Sequence, residues 1–218
     1  MKIHRLPAGA RPAPLLFSVS FQLATACAVP PAGDGWIYEV KHDGHRIAAL
    51  ADGKGGLRLL SRNGINRLDR FAAAVDGLAG LGRSFVIDGE IAAPDERGVT
   101  HLDDLAEAIG NGRVERLAYF AFDLLHLDGH DLHACPLVER KALLAALLAT
   151  AACKRVVYVD HLKDGAERLL DAVRQAGGEG IVAKRAGGRY RAGPVLRSRL
   201  NEPARALLAR TVLLVGRL

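Results

Sequence analysis

Sulfur and aromatic residues are scarce in this chain. Its 218 residues include one methionine, one tryptophan and three cysteines, and 5% are aromatic. Cys27, Cys135 and Cys153 lie far apart and form no C-x-x-C pair. That pattern excludes a disulfide framework and a cysteine zinc site, and fits a reducing, cytoplasmic setting. No apolar run reaches the roughly 20 residues of a membrane span, so no membrane partner is expected. The stretch from Leu15 to Val29 is a weak secretory candidate, broken by Ser18, Ser20, Gln22 and Thr25. No internal repeat is visible.

What remains is an ordinary globular composition, half apolar and a quarter charged. The length suits one sizeable core with at most a short appendage. A net charge of +6 favours a polyanionic partner, although arginine-rich usage alone would give the same sign.

Three stretches are distinguishable. Residues 1–35 are a turn-rich lead-in ending in Pro30-Pro31-Ala32-Gly33-Asp34-Gly35. Residues 36–200 mix short strands and helices. Residues 201–218 are a divergent tail, apolar with scattered arginines, expected as an amphipathic helix or a short strand capping the core. The first strand, Trp36 to Val40, sets Trp36, Tyr38 and Val40 on one face, with Ile37, Glu39 and Lys41 on the other. Strands are expected over 47–51, 57–60, 85–93, 118–125, 155–159 and 179–184. Helices are expected over 66–77, from a Thr100 cap to Gly110, over 137–149, and from the capping-box-like pair Asp164 and Glu167 to Gly177. Hairpins mixed with helices, out of strict alternation, predict an α+β domain with antiparallel sheets.

Five segments carry candidate chemistry: Lys41-His42-Asp43-Gly44-His45-Arg46, Ser61-Arg62-Asn63-Gly64, Val86-Ile87-Asp88-Gly89-Glu90, Ala121-Phe122-Asp123-Leu124-Leu125 and Glu179-Gly180-Ile181-Val182-Ala183-Lys184. Four sit at a strand end or turn, where side chains converge on a cleft. A lysine that attacks a phosphate must lose its proton, and a neighbouring cation such as Arg46 or a metal favours that. The phosphate needs positive charge, which Lys184 and a tail arginine can supply. A divalent metal needs carboxylates, and Asp88, Glu90 and Glu179 are available. A purine needs a flat apolar face, which Phe122 offers. Taken singly, each segment reads as a turn or a core residue. In this order they form a set.

The set resembles the adenylation (nucleotidyltransferase) domain of ATP-dependent DNA ligases, and it looks most like the ligase domains of bacterial end-joining ligases. The likeness spans roughly residues 20 to 200. It includes Phe21-Gln22-Leu23-Ala24-Thr25 and Pro136-Leu137-Val138-Glu139-Arg140-Lys141. The resemblance implies an ATP-grasp-like fold in which Lys41 receives AMP from ATP. It implies Glu39 near the adenine, and Arg46 and Arg62 in the ribose-phosphate pocket. It also implies Asp88 and Glu90 at ribose and metal, Phe122 stacked on the base, Glu179 linked to Mg²⁺ or Mn²⁺, and Lys184 on phosphate. The implied partner is DNA with nicks or ends, in repair or recombination.

Two departures stand out. The family's last adenylation motif carries a tryptophan and two lysines, and its nearest match here is Val195-Leu196-Arg197-Ser198-Arg199. Arg197 and Arg199 keep the charge without the compact ammonium. The family's C-terminal OB-fold is also not expected within these residues, so an OB-fold or end-joining partner in trans is one expectation. A truncated, non-catalytic ligase remnant that binds nucleotide or DNA is a second reading. An RNA ligase or a GTP-using capping-type nucleotidyltransferase is a third. His42 and His45 read as neutral substitutions where the family often has aromatics.

Overall fold

A computed structural model describes residues 6–194 and 211–215. The strands are β1 (Arg11–Pro12), β2 (Gln22–Leu23), β3 (Thr25–Cys27), β4 (Trp36–Val40), β5 (His45–Asp52), β6 (Leu57–Ser61), β7 (Ser84–Ala92), β8 (Ala118–Leu127), β9 (His130–Asp131), β10 (Val156–Tyr158), β11 (Gly180–Arg185), β12 (Gly193–Pro194) and β13 (Thr211–Val215). The α-helices are α1 (Leu68–Phe71), α2 (Leu102–Gly110), α3 (Leu137–Leu148) and α4 (Ala166–Ala176). Among the described residues they build a seven-stranded sheet ordered β1-β9-β8-β7-β5-β6, with β10 joined to β8. A four-stranded sheet runs β3-β13-β11-β4, and β12 pairs with β2.

Most pairings are antiparallel, as expected for an α+β domain. Three are parallel: β10 with β8, β11 with β13, and β12 with β2. In each the partner arrives from a distant part of the chain, which hairpin patterns cannot reveal. The lead-in and the tail both enter the sheets. β1 pairs with β9, and β13 lies between β11 and β3. Within the tail, residues 211–215 therefore form a strand, and Val212 is buried.

The seven-stranded sheet is covered on both faces. Ile47, Ala49 and Ala51 of β5 face a core with Phe71, Phe85, Leu105 and Leu144. The alternate residues Ala48 and Leu50 face a second core with Phe21, Val86, Leu125 and Tyr190. Burial of both faces explains why β5, β7 and β8 read as nearly unbroken apolar runs. A third core joins Trp36, Tyr38 and Ile181 of the four-stranded sheet to Leu170 and Val173 of α4.

Three local expectations are corrected. The helix expected over 66–77 is a single α-turn, α1, followed by a 3₁₀ segment, Ala72–Val75. Thr100 does not cap α2, whose cap position is His101 and has no side-chain cap. Instead the Leu102 amide donates to Asp43 Oδ2 at 3.0 Å, and the Asp43 amide donates to Thr100 Oγ1 at 2.9 Å. A distant carboxylate thus replaces the local cap. The Asp164/Glu167 capping box is also not formed, because α4 starts after Gly165 at φ 71° with no side-chain cap. Gly165 lies in the left-handed region that glycine adopts without strain.

Candidate nucleotide-binding site

Between the two larger sheets lies a cavity of about 830 Å³. Lys41 stands at its edge, immediately after β4. The Lys41 amide donates to Gly180 O at 2.9 Å, tying the end of β4 to the start of β11. Its Nζ forms an ion pair with Glu179, both side chains about a quarter exposed. Burial raises the Glu179 carboxyl pKa, and Lys41 opposes that rise. The glycine behind the lysine is a packing requirement. A Cβ on Gly44 would collide with the Ile91 carbonyl, so β5 can lie against β7 only with glycine there.

β4 and β11 are antiparallel, with Ile37 opposite Lys184 and Glu39 opposite Val182. Glu39 and Lys184 are therefore diagonal neighbours on one face. Glu39 is 2% exposed, its Oε2 accepting a hydrogen bond from Lys184 Nζ. Lys141 Nζ lies 2.7 Å from the other oxygen, Oε1, as an ion-pair contact without hydrogen-bond alignment. Lys184 Nζ also sits 4.4 Å from the centre of the Phe122 ring. Phe122 is half-buried and lines the cavity, with the cations of Lys184 and Arg46 beside its ring.

The opposite wall is built on the seven-stranded sheet. Arg46 donates to both oxygens of Asp88, at 3.0 and 2.7 Å, and Tyr190 Oη donates to Asp88 Oδ2 at 2.7 Å. The Arg46 guanidinium carbon stands 5.1 Å from each of the Phe21 and Phe122 ring centres. Burial alone would lower the Arg46 pKa, but Asp88 raises it. Burial, then Asp88, raises the Tyr190 phenol. Glu90 lies one turn of the pleat further along β7, and burial pushes its carboxyl up to about 8 despite Arg46 and Lys41. Arg62 is exposed at the cavity rim, in the tight turn closed by Gly64 N–H to Ser61 O at 2.8 Å.

The fold thus brings Glu39, Lys41, Arg46, Arg62, Asp88, Glu90, Phe122 and Lys184 around one cavity, with Glu179 behind Lys41. Arg197 and Arg199 lie outside the described residues. The three expected metal carboxylates do not converge. Among the described residues, no three His, Cys, Asp or Glu side chains are grouped to hold a metal ion. Asp88 is fully buried and occupied by Arg46 and Tyr190, and Glu179 is occupied by Lys41. Glu90 also lines the cavity, and its raised pKa marks a position that a cation would relieve. His42 stacks on Phe120, with ring centres 3.8 Å apart. Burial and then Lys41 push its imidazole down to about 4, so it is neutral at pH 7.

Three residues, two of them in the segment Pro136 to Lys141, were given no site role by the sequence reading. Tyr190 anchors Asp88. Arg140, 1% exposed, donates to both oxygens of Asp123 at 2.7 and 2.8 Å. Lys141 holds Glu39. The one available signal was a pair of adjacent cations inside a leucine-rich helix, a place where charge is costly unless paired.

Residues 21–200 match a family model described as the ATP dependent DNA ligase domain. The chain belongs to this ligase family. It is 37% identical over 172 residues to the multifunctional non-homologous end joining protein LigD of Pseudomonas aeruginosa, a match covering 78% of this chain and 20% of that protein. The LigD of Mycobacterium tuberculosis is 32% identical over 161 residues, again 20% of its length. The chain therefore spans about a fifth of the LigD relatives it matches. Among solved structures, a mycobacterial DNA ligase D complexed with ATP and MES superposes with a TM-score of 0.69 at 28% identity, covering 91% of this ligase-family chain and 60% of that one. The ligase domain of M. tuberculosis LigD gives 0.68 at 28% identity. These neighbours share the α+β nucleotidyltransferase fold expected from the five segments.

Proposed function

We propose that the cavity binds ATP and that Lys41 takes the AMP group, as the first step in sealing DNA ends. The observation that carries this reading is the placement of one lysine amine at the edge of a cavity holding a flat aromatic face and further cations. The nitrogen lone pair of Lys41 attacks the α-phosphorus. A P–N bond forms, the bond from that phosphorus to the oxygen bridging to the β-phosphate breaks, and pyrophosphate leaves with that oxygen. The amine proton passes to Glu179, its ion-pair partner, whose raised pKa suits it to accept one. Phe122 supplies the surface for the base, and Lys184 and Arg62 face the phosphates. Where a divalent cation is bound, Glu90 would hold it together with phosphate oxygens and water, and its chemistry is to neutralise charge on the phosphates. Asp88 works differently, as the fixed anchor of Arg46.

The LigD relatives and the +6 charge support nicked or broken DNA as the acceptor of the AMP, in repair by end joining. The 5′-phosphate would take AMP from Lys41, and a 3′-hydroxyl would then displace it. No helix among the described residues is long and apolar enough to cross a membrane, and the cysteine pattern supports a cytoplasmic site.

The test is incubation with Mg²⁺ and α-labelled ATP or GTP, beside Lys41→Ala. Label from ATP that survives denaturation and disappears in the variant supports the reading. Label from GTP alone moves it to capping chemistry, and no label from either nucleotide refutes it.

A further inference from the structure

Helix α3 sends two consecutive buried cations in different directions. Arg140 turns to the seven-stranded sheet, pairing with Asp123 and donating to the carbonyls of Cys135 and Gly188. Lys141 turns instead to Glu39 of β4 and to the end of β10. It has no exposed surface, lies 2.7 Å from Glu39 Oε1, donates to Val159 O at 2.7 Å, and stands 4.8 Å from the Tyr158 ring centre. Glu39 and Lys184 line the cavity, whereas Lys141 does not. One carboxylate is thus shared between an inner lysine that meets the cavity and an outer lysine that never does.

The sharing has an electrostatic consequence. Glu39 and Lys184 alone would form a neutral pair, holding Lys184 Nζ against its carboxylate. With Lys141 on the second oxygen the trio carries a net positive charge beside Phe122. We propose that Lys141 is a positioning residue that shares Glu39 so that Lys184 keeps positive charge available for a phosphate of the bound nucleotide. A purely structural role is a poor explanation for a lysine here. Lys141 is fully buried between Glu39, the Val159 carbonyl and the Tyr158 ring, where burial lowers its pKa against the pull of Glu39, a cost that an apolar residue would not carry.

The inference rests on the AMP-transfer reading above, and its test separates the two. Lys141→Met and Lys141→Arg are made in the full chain, and Lys141→Met is combined with Lys184→Ala. Lysyl-AMP formation is followed in single turnovers across ATP concentrations, with calorimetric Mg-ATP binding alongside. Loss of one unit of nearby positive charge should lower the saturating rate about tenfold in Lys141→Met, and Lys141→Arg should recover to within about threefold. In the Lys184→Ala background the same change should cost less than about twofold, because the residue it acts through is gone. An equal fractional loss in both backgrounds overturns the proposal, as does an unchanged rate in Lys141→Met. If the Met variant does not fold, Lys141→Gln carries the same cycle. If the unaltered protein forms no lysyl-AMP, the transfer reading fails, and the cycle is then read on ATP affinity. Additive effects there, or no ATP binding at all, overturn the role of Lys141 as well.

Discussion

The two walls of the cleft use charge in opposite ways. On the seven-stranded sheet, Asp88 is bound by Arg46 and Tyr190, and Asp123 by Arg140. These carboxylates are met by guanidinium forks whose flat geometry fits both oxygens at once. On the four-stranded sheet the cations are lysines: Lys41 on Glu179, and Lys184 and Lys141 on Glu39. A lysine ammonium has no preferred plane and can change partner or lose its proton, whereas an arginine does neither easily. The first wall is therefore a rigid frame for Phe122, and the second holds the cations that can change partner.

This contrast can be broken in several ways. Lys41→Arg keeps the charge beside Glu179 but removes the amine proposed to attack ATP. Label transfer from ATP should fall by at least about a thousandfold, with little change in melting temperature. A retained label would deny Lys41 its role. Asp88→Asn attacks the rigid wall instead, leaving Arg46 without its buried partner. Urea unfolding should show a loss of about 3–5 kcal/mol, and a loss below about 1 kcal/mol would mean the frame does not depend on this pair. Phe122→Leu preserves apolar bulk while removing the flat face between Lys184 and Arg46. ATP affinity should weaken by about two- to tenfold in calorimetry, with stability nearly unchanged.

The remaining effects are in pH. Glu90 has a folded pKa raised to about 8, so the stability it contributes is complete below its unfolded pKa and is lost as pH rises through about 8. His42 is depressed to about 4, so its contribution is present above its unfolded pKa and is lost as pH falls through about 4. Glu90→Gln should flatten the alkaline side of the stability profile, and His42→Phe the acid side. Chemical denaturation across pH 4–9 reads both, and an unchanged slope in either variant removes that group from the account.

Legibility followed locality. The face of β4 carrying Glu39 and Lys41 was readable because strand alternation is a two-residue rule. The turn at Ser61-Arg62-Asn63-Gly64 and the helix α3 were readable for similar reasons. The caps of α2 and α4 were misread, since the groups near α2 that mattered, Asp43 and Thr100, are 57 residues apart. The metal expectation grouped Asp88, Glu90 and Glu179 by residue type and by their motif positions. Their separation into an arginine-bound anchor, a protonation-prone cavity acid and a lysine partner depends on what the fold sets beside each. Tyr190 and Lys141 were not readable as site residues because their partners, Asp88 and Glu39, each lie 102 positions away in the chain.

The sequence by itself determined the kind of domain and singled out Lys41 as the candidate for the reactive lysine. Alternation, turn residues and the order of five segments are properties of neighbouring positions and survive without a fold. Only the tertiary structure decided the state of each charged group. Burial and the choice of partner across two sheets determine whether a carboxylate anchors, titrates or waits on a lysine, and neither is encoded at one place in the chain.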